Sequence, residues 1–347
     1  MKKRPLYYLA SAILIPSMAL FACTEPGRTQ STDSWGAAVD PDRCRQALQR
    51  LPAALRSLRG QDCVAVRASD LVVATIELEV AGEVLPVRVV VGEGNNSVRK
   101  IVVEIVGGPG ETVLLRPGIE SWAREGKQTI ADCDVAILSP AYSGTWHRSS
   151  YPAASERRAA TEVDGLLSVI SSSTDVSIVA QSLGGRIVSR PEVRIPDGRH
   201  LLFVPLLQAP QGYLRWLDEG STRNRIMRRS SVSNYVIGTE GNRASQAVRT
   251  FDFLRAFFET SKSDLAATLP ELWAQKSRVG ASADVEVVIA DKEDKAGGPE
   301  FSEALSKLGF TVRTVAGEHL PNGQAETAER AEIVGRFLQA ACASGKS

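Results

Sequence analysis

The run Val176-Ser177-Ile178-Val179-Ala180-Gln181-Ser182-Leu183-Gly184-Gly185 constrains this chain more than any other. Its first half is apolar and rich in β-branched residues, the pattern of a strand buried on both faces. Two glycines and a helix-forming stretch follow, so the chain must turn sharply at Ser182. A turn that tight leaves room only for small residues two before and two after the serine, and Ala180 and Gly184 hold those places. The pattern A-x-S-x-G between strand and helix lifts a serine hydroxyl out at the edge of a sheet.

The rest of the chain supplies that sheet. Strand-like runs cover 71–80, 85–91, 99–106, 134–138, 175–181, 200–207, 284–289 and 310–315. Helical periodicity fills 118–128, 157–172, the segment from 183, 300–308 and 325–341. Alternation of this kind predicts an α/β fold, a mostly parallel sheet with helices on both faces. The 347 residues suffice for one such domain with an insertion. The core is expected over 67–208 and 279–347. Between them, 209–278 reads as helices only (211–218, 244–261, 264–276), a helical cap over the sheet's C-terminal edge, where open α/β sheets bind ligands. Residues 42–66 read as an N-terminal helical segment, starting near Asp42, kinked at Pro52 and ended by Gly60.

Three further places complete a reactive site around the serine. Gly107-Gly108-Pro109-Gly110 follows the strand that ends at Val106. Acyl transfer develops an oxyanion that needs two fixed N–H donors, and glycines let the backbone approach closely enough to supply them. The backbone N–H groups of Gly108 and Leu183 are the expected donors. The chain has three histidines. His147 precedes the serine, and His200 starts a core strand, where a structural hydrogen bond is its expected role. His319, in Val315-Ala316-Gly317-Glu318-His319-Leu320-Pro321, lies on a loop after the last strand and is the expected general base. For the acid that orients it, Asp294 lies in the loop after strand 285–290, with a helix beginning a few residues later. Asp291 and Glu293 remain alternatives.

In this order, Gly108, Ser182, Asp294 and His319, residues from about 70 to 342 resemble the α/β-hydrolase superfamily of serine hydrolases. The G-G-P-G loop and the helical insertion are similar to the prolyl-aminopeptidase branch. The resemblance implies acyl-enzyme hydrolysis of a peptide, or of a carboxylic ester on the same triad, with no metal or organic cofactor; a silent binding protein on the same scaffold is the remaining alternative. Two positions depart from the aminopeptidase pattern. Val106 stands where that branch has His, and Ser139-Pro140-Ala141-Tyr142-Ser143-Gly144 lacks its Asp-x-Arg-Gly.

The N-terminus carries an address. Lys2, Lys3 and Arg4 precede an apolar run from Leu6 to Phe21, interrupted at Pro16 and Ser17, which suits a cleaved signal better than a membrane span. Leu20-Phe21-Ala22-Cys23 resembles the lipobox of bacterial lipoproteins. That resemblance implies cleavage after residue 22, lipidation of Cys23 and attachment to the cell envelope, and Thr24 in place of Asp points to the outer membrane, facing the periplasm. Residues 23–41, rich in Thr, Ser, Gly and Pro, read as a tether. In an oxidising compartment Cys44, Cys63, Cys133 and Cys342 are expected to form two disulfides, with three connectivities open and Cys44–Cys63 favoured.

Charge narrows the partners. A net charge of +1 leaves no footprint for nucleic acid. Between Arg215 and Arg229 the cap carries Arg215, Arg223, Arg225, Arg228 and Arg229 against only Asp218 and Glu219. Arg228 and Arg229 are candidate donors to an anionic substrate group, and a solvated face or a patch on anionic lipid is the alternative.

Overall fold

The computed structural model describes residues 37–38, 40–56, 59–65, 71–93, 96–107, 133–143, 155–219, 254–262, 266–292, 297–319 and 324–344. The expected helix at 118–128, Cys23, Gly108, His147, Arg228, Arg229, Glu293 and Asp294 lie outside them. Among the described residues, no helix is long and apolar enough to cross a membrane.

Ten strands form one sheet: β1 (Ala37–Ala38), β2 (Arg59–Ala65), β3 (Leu71–Val80), β4 (Glu83–Gly92), β5 (Lys100–Ile105), β6 (Val135–Pro140), β7 (Asp175–Gln181), β8 (Gly198–Phe203), β9 (Ala283–Ala290) and β10 (Thr311–Val315). Their order is β1-β2-β3-β4-β6-β5-β7-β8-β9-β10. The first four run antiparallel to their neighbours, and every pair from β6 to β10 is parallel. The β3–β4 hairpin closes on Ala81-Gly82, both at positive φ (52° and 79°), as a two-residue turn matched to strand twist requires. Strand order reverses between β5 and β7, which makes that pair the switch point of the sheet, the place where open α/β sheets bind ligands.

Helices cover both faces. α1 spans Pro41–Gln49, capped by the Asp40 carboxylate, which accepts the Asp42 N–H at 2.9 Å. α2 spans Glu156–Ser171 and α3 spans Leu183–Ser189. α2 buries Ala159, Ala160, Val163, Leu166, Leu167 and Ile170, a stripe of helical period, in the larger core on its face of the sheet. The opposite face is covered by the chain's last described helix (Gln324–Ser344), whose Ile333, Val334, Phe337 and Leu338 meet Val102, Ile137, Val179 and Leu201. Each central strand is thereby apolar on both sides, which explains the unbroken runs in the sequence. Strand order, crossover pattern and both-face coverage make this an α/β-hydrolase fold.

Between β8 and β9 the described elements are helices: α4 (Pro210–Asp218), α5 (254–261) and α6 (Leu269–Ala274). Tyr213 of α4 stacks on Phe258 of α5, ring centroids 4.8 Å apart. Two more helical pieces close the chain, α7 (Ser302–Lys307) and the C-terminal helix named above, henceforth α8.

The N-terminal segment corrects the sequence reading. Residues 42–66 are not helical throughout: α1 stops at Gln49, a single 3-10 turn follows Pro52 at Ala53–Leu55, and Arg59–Ala65 is a strand. Gly60 lies inside that strand and ends no helix. Residues 62–65 pair antiparallel with 72–75 of β3, and satisfying that exposed ladder outweighs the local punctuation.

Cys133, just before β6, is bonded to Cys342 of α8 with Cα atoms 5.5 Å apart. Cys44 is disulfide-bonded as well. Four free thiols are thereby excluded. Of the three connectivities, only the one joining Cys44 to Cys63 contains Cys133–Cys342, and the Cys63 side chain lies outside the described ones. The Cys133–Cys342 bond spans 209 residues of chain. Loops that long are constrained strongly in the unfolded state, so Cys133→Ala with Cys342→Ala is expected to destabilise the fold by about 4 kcal/mol. Denaturant midpoints of the variant, compared with oxidised and reduced parent protein, measure it.

Candidate active site

Ser182 sits where β7 gives way to α3, at φ 50° and ψ −117°. A non-glycine residue there is strained, and its neighbours hold it in place. The Ser182 N–H donates to the Phe203 carbonyl at 3.2 Å, and its own carbonyl accepts from the Leu206 N–H at 3.0 Å. Close backbone approach fixes the residues around it. A Cβ on Gly184 would lie 2.1 Å from the Ile105 carbonyl oxygen and 2.7 Å from that of Val106. One on Gly185 would meet Pro205 Cβ at 2.5 Å, and one on Gly107 would meet Ser182 Cβ at 2.9 Å. Nothing larger than glycine fits at these positions without moving backbone. Leu183 opens α3 fully buried, its N–H among those at the helix start that have no partner within the helix.

The structure brings His319 to this serine. Ser182 Oγ and His319 Nε2 are 2.7 Å apart, although 137 positions separate the residues in sequence. The histidine lies in the described loop segment 316–319, which is held from two sides. On one, Asp291 Oδ1 accepts the Gly317 N–H at 2.8 Å, and the Lys292 N–H donates to the Gly317 carbonyl at 3.0 Å. Gly317 has φ 96°, and a Cβ there would strike the Glu326 carboxylate at 2.3 Å. On the other, Arg330 of α8, 2% exposed, donates to the carbonyls of His319 (2.8 Å), Ala316 (3.3 Å) and Glu318 (2.5 Å).

Asp291 thus serves the turn that leads to His319. His200 has a structural job: its Nδ1 accepts the Ile178 N–H at 3.2 Å and its Nε2 donates to the Pro196 carbonyl at 2.9 Å. Burial lowers its pKa to about 4, so it stays neutral in that single tautomer.

Beneath α3 lies a buried ionic knot. Glu156 accepts from Arg186 at 2.6 Å and from Arg190 at 3.4 Å, with all three side chains at most 1% exposed. Arg186 also donates to the Gln208 carbonyl (2.7 Å), and the Glu156 N–H to Ser261 Oγ (3.1 Å). The helix behind Ser182 is therefore tied to the segment just before α4 and to the end of α5.

Of the residues expected from sequence, Ser182, Leu183 and His319 come together; Asp294, Gly108, Arg228, Arg229 and Cys23 lie outside the described residues. Gly107, Arg330 and the Glu156–Arg186 pair were not anticipated. Arg330 had a signal: it shares a helical stripe with Ile333, Val334 and Phe337, and a cation on an apolar stripe must have partners.

No protein-family model matches this chain. No curated protein matches it either. Among solved structures it is similar to carboxyl esterase 2 from the mycorrhizal fungus Tuber melanosporum, at 14% identity and TM-score 0.49, over 80% of this chain and 89% of that one. It is also similar to a thermostable esterase from Pseudomonas putida ECU1011, at 14% identity and TM-score 0.49, over 88% and 91%. A Pyrobaculum calidifontis esterase shows 14% identity and TM-score 0.46, over 79% and 86%. Identity this low says nothing of substrate, and the fold assignment rests on strand order.

Asp294→Asn is expected to lower turnover by about a thousandfold or more, the usual loss when the residue orienting a catalytic histidine fails. Asp291→Asn keeps an oxygen to accept the Gly317 N–H and should change turnover less than about tenfold. Steady-state rates of both variants decide, and the reverse ranking would move the acid to Asp291.

Proposed function

We propose that this chain is a serine hydrolase that cleaves carboxylic esters through an acyl-enzyme. The observation that carries the reading is Ser182 Oγ 2.7 Å from His319 Nε2, on a strained strand–helix turn beside the switch point of the sheet. In this mechanism His319 takes the serine proton as Oγ attacks the acyl carbon. The oxyanion rests on the Gly108 and Leu183 amides, and Asp294 stabilises the imidazolium. His319 then returns the proton to the leaving alkoxide, and water, deprotonated by the same histidine, releases the acid. None of these steps calls on a metal or an organic cofactor.

The sequence pattern alone leaned toward a peptidase. Ester cleavage is favoured by what occupies the two positions that depart from the aminopeptidase pattern. Val106 and Tyr142 are both wholly buried, and the Tyr142 hydroxyl donates to the Val106 carbonyl at 2.5 Å. Ser143, 4% exposed, is bound by Glu162. The described part of that segment, 139–143, faces inward, engaged by the Val106 carbonyl and the Glu162 carboxylate, and presents no carboxylate of its own to a peptide's ammonium. The test is turnover of p-nitrophenyl acyl esters beside amino-acid anilides. Esters are expected to dominate, and Ser182→Ala is expected to remove about a thousandfold of activity with circular dichroism unchanged. Preference for anilides would restore the peptidase, and wild-type protein inert to both and to a fluorophosphonate probe would leave a binding module.

The same reading includes export and a lipid anchor at Cys23, with the domain in the periplasm on the outer membrane. It is supported by the lipobox-like Leu20–Cys23 and by the Cys133–Cys342 disulfide, which suits an oxidising compartment. Cys23→Ser is expected to move the protein from the membrane fraction to the soluble one. A variant that still pellets after a salt wash would overturn the anchor.

A further inference from the structure

The two departures from the aminopeptidase pattern touch each other, and they do so at the root of the glycine loop. Val106 is the last residue before Gly107, and Gly107 packs directly on Ser182. Tyr142 approaches from the loop after β6, wholly buried, and donates its hydroxyl to the Val106 carbonyl at 2.5 Å. Because a trans peptide is planar, the Val106 carbonyl and the Gly107 N–H point in opposite directions from one rigid unit. Fixing the carbonyl therefore fixes the amide. Without Tyr142, a glycine on one side of this peptide would leave it free to rotate. On the far side of the Val106 oxygen stands Gly184, close enough that a Cβ there would lie 2.7 Å away.

Tyr142 is itself anchored. The next residue, Ser143, gives its N–H (2.5 Å) and its hydroxyl (2.7 Å) to the Glu162 carboxylate of α2. Burial, with Glu162 nearby, raises the phenol's pKa far above its ordinary value. The hydroxyl thus keeps its proton, and remains a donor, at any pH the fold survives.

We infer that Tyr142 is a positioning residue for acyl transfer: its hydroxyl pins the Val106–Gly107 peptide, and so sets the direction in which the Gly107 amide is presented beside Ser182. This rests on the serine-hydrolase reading above. Pinning matters most when charge develops on the acyl oxygen, because preorganised donors act on the transition state more than on the bound substrate.

The experiment compares wild type with Tyr142→Phe, which removes one oxygen and keeps the ring in place. On p-nitrophenyl esters kcat should fall by about ten- to a hundredfold, with KM within about twofold and the pH midpoints of kcat/KM unmoved. Affinity for a trifluoromethyl ketone, which forms the tetrahedral oxyanion on Ser182, should fall in parallel. Ser143→Ala, which loosens Tyr142 but leaves its hydroxyl, should show the same pattern with a smaller loss, and keeps the test open if Tyr142→Phe does not fold. A core variant far from the site, Val72→Ala, serves as the stability control and should keep wild-type kcat. Normal kcat and inhibitor affinity in Tyr142→Phe, or losses that follow thermal stability as they do in the control, would overturn the inference while the wild-type enzyme still hydrolyses esters. A wild type inert to esters and to a fluorophosphonate would instead overturn the reading beneath it.

Discussion

Ser182 holds a backbone conformation that an L-residue adopts only under compulsion, with φ at 50°, and much of the surrounding structure supplies that compulsion. Strain of this kind amounts to about 1–3 kcal/mol and persists only where neighbours over-determine it. Here two strands and the segment after the second do so. β5 lays the Ile105 and Val106 carbonyls against Gly184, β8 lends the Phe203 carbonyl to the Ser182 amide, and the chain after β8 sets Pro205 on Gly185. Val204, just before that proline, is a β-branched residue at φ 42°, so a second strained position braces the first. Its N–H donates to Val288 of β9 at 2.8 Å, which ties the brace into the sheet. The requirement for glycine at 107, 184 and 185 is therefore collective: each clears a different piece of backbone from one turn.

Electrostatics in the interior follows the same economy. Buried charges are present only where they hold something in place, and each meets a partner that offsets its desolvation. Glu156 with Arg186 and Arg190 fixes the helix behind the serine, and Arg330 gathers three carbonyls of the histidine loop. Lys276 is held by the Arg190 and Val193 carbonyls over the Trp273 ring, and burial lowers its pKa to about 7. Serine and histidine thus approach from separate loops, each backed by its own cation, and the 2.7 Å between them comes from two independent supports.

How much of this the sequence shows depends on the range of the forces involved. Strands β3 to β10 were legible, most ends within two residues, although the expected run 200–207 outlasts β8, which stops at Phe203. In β5 to β9 burial on both faces writes an apolar run into the chain. The Ser182 turn was legible because its strain restricts side-chain size at fixed neighbours. His319 followed from chain order and from the scarcity of histidine. Residues 59–65 were not legible as a strand: their pairing with β3 is a tertiary fact, while Pro52 and Gly60 carry local signals that suggest a helix boundary. That Gly107 rests on the serine was not legible, since sequence shows a pair of glycines and only packing shows what one of them touches. Tyr142 stood in a segment noted for what it lacked, and its hydrogen bond to a strand 36 positions earlier has no sequence signature.

Helix α8 links the order of synthesis to the assembly of the site. It carries Arg330 near one end and Cys342 near the other, and both act on elements made much earlier: the histidine loop and the start of β6. A chain emerging from its N-terminus can build β3 to β8 and set the serine in its turn while still lacking the histidine's support. The disulfide partner of Cys133 follows it by 209 residues. The serine turn can therefore be preassembled long before the histidine is brought beside it, and the pair is complete only once the last described helix docks. If the chain crosses a membrane in that order, closure of the 133–342 bond and completion of the site become one late event on the far side.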